Sequence, residues 1–244
     1  MRTSVATGER AVAVAVACAA ILAGAAACGS TRPPSANPLA GLTAVQIVKK
    51  AEADLKASSS VHISRSAVES GQTEVIDVTA GEHGCEGTFR ISGVGSFALL
   101  DVGATEWMKD DSQFLKTMGI PAKVVKRWAG KYVRIPGTPP SMMGFCSPSQ
   151  IAGFIDSELK GPTEGKVMTI LGRPVLQIWD KRHSNSVYVT ISAHPEFVRL
   201  VFADQDPGHL DLTGYNLPVT FTPPPANETI NDPQLAALAT QFAG

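Results

Sequence analysis

The heptapeptide GEHGCEG, Gly81–Gly87, sets Glu82, His83, Cys85 and Glu86 within one short segment. Such side chains ligate metals, but a zinc site needs a second Cys or His pair at a fixed spacing. No such pair accompanies them. The segment therefore reads as a polar turn leading into a cysteine that takes a disulfide partner. The histidines His62, His83, His183, His194 and His209 are scattered. His194 beside Pro195, and His209 near Asp206 and Asp211, read as loop residues. The sequence carries no Gly-x-Ser-x-Gly elbow, no His-Glu-x-x-His pair and no phosphate loop. We expect no catalytic residue, no metal and no cofactor, hence not an enzyme.

The remaining thiols belong to AVAVAVACAAILAGAAACGS, Ala11–Ser30. Ala11–Ala27 carries no charge and falls short of the about 20 residues that span a bilayer. Arg2 and Arg10 precede it, and Ala25-Ala26-Ala27 stand before Cys28. A positive start, an apolar stretch and small residues at a cut site predict an export signal over residues 1–27. An uncleaved anchor is the alternative. Cys18 leaves with the signal, so Cys28, Cys85 and Cys146 remain, an odd number for an exported chain. In an oxidising compartment Cys85 and Cys146 pair and close a loop of about 60 residues, the alternative being two buried thiols. Cys28 is then left over. LAGAAACGS resembles a bacterial lipobox, in which the cysteine is acylated and begins the mature chain. Position −3 is Ala25, where that pattern prefers a leucine-like residue. Cleavage without acylation, leaving a free thiol at Cys28, stays open. GSTRPPSANPLAG, Gly29–Gly41, has a linker's composition, so residues 28–41 are expected to form a lipidated N-terminus and tether, and 42–244 a single domain.

These segments must be positioned by the elements that follow. LTAVQIVKKAEADLKASS reads as an amphipathic helix, with Thr43 and Gln46 as a capping box. Val45, Ile47, Val48, Ala51 and Leu55 form its apolar stripe, while Lys49, Lys50, Glu52 and Lys56 face away. The period then changes to two. VHISRSAV and TEVIDVTA, joined by ESGQ, predict a hairpin, and CEGTFRISG, GSFALLDVG and TEWMKD three further strands. Helical character returns over Ser112–Trp128. GKYVRIP is extended, and SPSQIAGFIDSEL opens a helix on Ser-Pro-Ser. KVMTILG, RPVLQIWDK, SVYVTISA, EFVRLVFAD and HLDLTGY predict a five-stranded antiparallel meander with one apolar and one polar face. TFTPPPANETI is expected not to continue a sheet, because proline lacks a ladder donor, and DPQLAALATQF to form a terminal helix. The economical arrangement is α+β, a long curved antiparallel sheet covered on its concave side by short helices, a half-open barrel.

The formal net charge is −1, and loss of residues 1–27, with two arginines and one glutamate, lowers it by one. No basic surface of the kind nucleic-acid binding needs follows from this balance. Cys28 after its signal, LKASSSVHIS (Leu55–Ser64) and WAGKYVRIP (Trp128–Pro136) carry a wider likeness. ILGRPVLQIWD (Ile170–Asp180), VYVTISAHPEFVRLVF (Val187–Phe202) and YNLPVTFTPPPA (Tyr215–Ala226) extend it. Together they resemble the actinobacterial lipoproteins of the LppX/LprAFG type, which share a LolA-like fold. The resemblance implies a curved sheet around an apolar cavity and a lipid or glycolipid ligand. It implies a monomer tied by a lipid anchor to the outer face of the bacterial cytoplasmic membrane. A structural or protein-interaction lipoprotein with a filled core is the competing expectation.

Overall fold

The structure, a computed structural model, describes residues 37–69, 71–103, 105–135, 145–202 and 208–233. The expected signal 1–27, Cys28, nearly all of the tether and most of the terminal helix lie outside the described residues. The first element is α1 (Ala44–Lys56). Its capping box is formed: Thr43 N donates to Gln46 Oε1 at 2.8 Å, and Gln46 N donates to Thr43 Oγ1 at 3.3 Å. Ile47, Val48, Ala51 and Leu55 are buried as their spacing requires. Val45 is not: it is 48% exposed and stands off the stripe. Glu52, expected to face away, is buried with Lys49 at 3.6 Å. Lys49 also lies 3.6 Å from Asp156 on the other covering helix, so this patch of α1 turns toward a neighbour rather than toward water.

The strands β1 (Ser60–Glu69), β2 (Gln72–Gly81), β3 (Gly84–Ile91), β4 (Gly95–Val102) and β5 (Thr105–Asp110) follow as hairpins. The stretch Ser112–Trp128 is two helices, α2 (Ser112–Thr117) and α3 (Ala122–Trp128), not one. Gly119 at φ +76° and Pro121 break it. Asp111 caps α2: Oδ1 accepts from Phe114 N at 2.7 Å, and Oδ2 accepts from Ser96 N and Oγ on β4. Gly95, at φ +125°, lets α2 approach, because a Cβ there would lie 2.7 Å from Phe114 Cα. Then come β6 (Tyr132–Ile135), α4 (Pro148–Glu158, capped by Ser147), β7 (Thr163–Ile170), β8 (Arg173–Trp179), β9 (Asn185–Thr190), β10 (Phe197–Phe202) and β11 (Gly208–Thr213). A two-residue strand, β12 (Thr229–Ile230), comes last.

Among the described residues the chain forms one twelve-stranded, curved and unclosed sheet of order β12-β6-β5-β4-β3-β2-β1-β11-β10-β9-β8-β7. Two meanders are joined where β1 pairs with β11, His62 opposite Thr213 and Arg65 opposite Leu210. The fold is α+β, as expected. The strand β12 corrects one expectation: it pairs in parallel with Tyr132 and Val133 of β6. The prolines end at Pro225, a 3₁₀ turn over Ala226–Glu228 redirects the chain, and the two residues beyond it have the donors that proline lacks.

One face of the sheet and the four helices share a single core, which includes Ile47, Leu55, Val61, Ile63, Trp128, Ile151, Ile155, Ile178 and Phe197. The other face departs from the sequence reading. In the second meander Val175, Tyr188 and Val198 are buried on the outer side, with Met168, Ile170 and Val201 packed around them. The register break between Phe197 and Arg199 carries Val198 outward. Gln177 Nε2 donates to Tyr188 Oη at 2.8 Å there. The outer face is therefore part apolar and not uniformly polar.

Cys85 of β3 and Cys146, at the entrance to α4, form a disulfide with Cα atoms 5.0 Å apart. Both are buried in the core. The bridge spans 61 residues and stabilises the fold by about 4 kcal/mol in the chain-entropy account. Replacing both cysteines by serine should lower the unfolding free energy by about that amount, with a matching fall in melting temperature. A melting curve identical to the parent's would show that the bridge constrains nothing.

Candidate binding cavity

The inner face of the sheet and α4 border an open cavity of about 790 Å³. Its walls are built from both meanders. Ile76 on β2, with Leu210 on β11 and Phe202 on β10, comes from the sheet, and Phe145 and Phe154 come from the covering side. The phenylalanines form a chain: Phe145 and Phe154 meet edge to face with ring centroids 5.6 Å apart, and Phe154 lies 5.8 Å from Phe202. Phe145 adjoins Cys146, so the disulfide ties this wall to β3. Arg65, on the inner face of β1, also lines the cavity; Nη1 donates to Glu74 Oε1 at 3.1 Å, and both side chains are about one-fifth exposed.

The rim is polar. Glu158 and Lys160 come from the end of α4 and the residues after it, and Asp180, Lys181, Arg182, Ser184 and Asn185 from the β8–β9 turn. That turn is held by Asp180. Oδ1 accepts from Ser184 N at 2.8 Å and Asn185 N at 3.2 Å, and Oδ2 accepts from Ser184 Oγ at 2.9 Å. Burial pushes the Asp180 carboxyl up, but these hydrogen bonds outweigh it and hold the group below the ordinary carboxylate range. His183 takes the left-handed conformation the turn demands, at φ +58°. Lys181 N donates to Lys160 O at 2.7 Å and fixes the turn against the end of α4.

The expected site residues separate cleanly. Cys85 and Cys146 are brought together, and Cys28 lies outside the described residues. Glu82 and His83 stand exposed on the β2–β3 turn. The histidines are dispersed: His62 lies between Asp77 and Thr213 on the outer face, His194 is 3.7 Å from Asp54, and His209 is 3.6 Å from Asp211. Among the described residues no three His, Cys, Asp or Glu side chains are grouped to hold a metal. Buried or half-buried carboxylates do occur on the inner face, at Asp101, Glu106 and Asp110, but none of them lines the cavity.

No family model matches the chain, and no curated protein matches it. Among solved structures, the chain is similar to the crystal structure of an uncharacterized conserved protein from Thermus thermophilus. The TM-score is 0.41 at 10% identity, covering 77% of this chain and 98% of that one. A likeness of that degree says nothing of function.

The cavity residues were not assignable from the sequence. KRHSNS reads as a linker between strands, and only the packing of its turn against α4 makes Lys181 and Arg182 a rim. Phe154 stands out as the aromatic residue on the α4 segment, but its partner Phe202 is distant in the chain. Strand parity predicts which residues share a face, not which part of that face is left uncovered.

Asp110 provides a separate, checkable consequence. Its side chain is buried, burial and the neighbouring Asp111 charge push the carboxyl up to about 7, and the Trp128 indole opposes this only slightly. A carboxyl raised in the folded state favours folding fully while it is protonated in both states, below about pH 4, and that advantage is lost as pH rises through about 7. The D110N variant should therefore gain stability over the parent progressively between pH 4 and pH 8, by on the order of 4 kcal/mol. Urea unfolding across that range measures it; a constant difference between the two proteins would mean that Asp110 does not titrate there.

Proposed function

We propose that the protein is a membrane-anchored lipoprotein of the bacterial cell envelope that binds a lipid or other apolar ligand in the cavity beneath α4. The anchor is the acylated Cys28, which places the domain at the outer face of the cytoplasmic membrane. The reading rests on one observation: an inner face with room of about 790 Å³, walled by Ile76, Leu210 and three phenylalanines. Ligand pockets occupy about 300–1,000 Å³ and combine apolar walls with a few polar groups that orient the guest. Transfer of apolar ligand surface from water contributes about 25 cal/mol per Å², so an acyl chain needs no further chemistry to be held. The reading is of binding and release: the Asp180 carboxylate at the cavity is engaged in holding its own turn, and Arg65 in the wall is paired with Glu74. The LolA-like resemblance of the sequence agrees with this reading.

The test is mass spectrometry of the protein taken from its own membrane, with organic extraction of the same sample. The expected result is a diacylglyceryl mass on Cys28 and about one equivalent of an apolar compound in the extract. An anchor with an empty extract would overturn ligand carriage and favour a protein-interaction role. An unmodified Cys28 would overturn the lipoprotein assignment.

A further inference from the structure

The rim of the cavity is chemically one-sided. Lys160, Lys181 and Arg182 are exposed, while Ile76 and Leu210 at the sheet wall are buried. The rim sets three cations against two carboxylates, Asp180 and Glu158. Asp180 turns both oxygens to the backbone and hydroxyl of Ser184 and the backbone of Asn185, and Glu158 faces the Asn185 amide at 3.5 Å. Arg65 and Glu74 form their own pair. Among the described residues the Lys181 and Arg182 side chains engage no carboxylate, and Lys160 Nζ meets only the Asp156 carbonyl, at 3.0 Å. The turn that carries Lys181 and Arg182 is held by Asp180, so the backbone that presents the two cations is fixed before a ligand arrives.

Volume is compatible with an acyl chain: at about 30 Å³ for each methylene, a sixteen-carbon chain occupies about 480 Å³, less than the 790 Å³ of the cavity. Resting on the reading of the cavity as an acyl site, we infer that its ligand is an acyl amphiphile with an anionic head. The chain lies along Phe145, Phe154 and Phe202, and the carboxylate or phosphate head meets Lys181 and Arg182. A guanidinium beside an ammonium suits either anion, through charge-assisted hydrogen bonds.

The experiment is displacement of a dansyl-labelled fatty acid from the full chain held in amphipol. The competitors are palmitate, palmitoyl-lysophosphatidylglycerol, palmitoyl-lysophosphatidylcholine, monopalmitoylglycerol and inorganic phosphate. Palmitate or the lysophosphatidylglycerol should displace at least about tenfold better than the zwitterionic and neutral competitors. Their order tells a carboxylate head from a phosphate head, and inorganic phosphate alone should not displace. The K181E/R182E double variant changes two exposed residues, so its fold is secure. It should lower the ratio of anionic to neutral affinity by about tenfold or more, and added salt should lower it in the parent. Equal displacement by the zwitterionic lipid, an unaltered ratio in K181E/R182E, or displacement by phosphate alone would each overturn this inference. The first two leave acyl binding standing. Failure of every acyl competitor to displace the label would overturn the acyl site itself.

Discussion

The pairing of β1 with β11 is the contact on which the rest of the molecule depends. Each meander is local and closes through short turns, but neither can bury its inner face alone. Residues 62–65 and 210–213, joined strand to strand, make one sheet from two and bring Ile76 and Arg65 of the first meander within reach of Phe202 and Leu210 of the second. The cavity exists only because of this seam. Its cost is the entropy of closing a loop of well over a hundred residues, which grows only slowly with length, so it falls mainly on the folding rate rather than on stability.

A long sheet also exposes two edges. One ends in the two-residue strand Thr229–Ile230, pinned by Lys109 to Glu228 at 3.2 Å and by Lys131 to the Asn227 carbonyl at 3.0 Å. The other, β7, is mostly exposed, bears Glu164 and Lys166 and breaks register between Glu164 and Val167. Charge and a local bend on an open strand oppose pairing with another chain. The buried outer cluster of Val175, Tyr188 and Val198 lies close to this edge, next to Met168 and Ile170 of β7, so the edge strand is held from its outer side as well as by its ladder.

What was legible in the sequence follows from the range of the interactions involved. The capping box of α1, the hairpins and the Ser147 cap of α4 are set within a few residues of themselves, and their patterns predicted them. The split between α2 and α3 was equally local, with Gly119 and Pro121 as its signals, but apolar periodicity across Ser112–Trp128 masked it. Glu52 and the outer cluster were not legible, because burial there is imposed by neighbours remote in the chain. The same holds for the site. Cysteine parity predicted the Cys85–Cys146 bridge, whereas the cavity depends on where α4 stops covering the sheet, and no residue type announces that.

An uncovered stretch of inner face is unfavourable unless something fills it or holds it open. Three constraints meet at this one. The disulfide ties the entrance of α4, with Phe145, to β3. Lys49 bridges α1 to Asp156 near the other end of α4, and the Asp180 turn anchors the residues after α4 through Lys181 N and Lys160 O. These ties set the position of α4 over Ile76 and Leu210 from both of its ends. An apolar wall kept from closing retains the contacts it lacks as a driving force for any chain that fits. The space beneath the covering helix is thus bounded by the same ties that fix the helix to its neighbours.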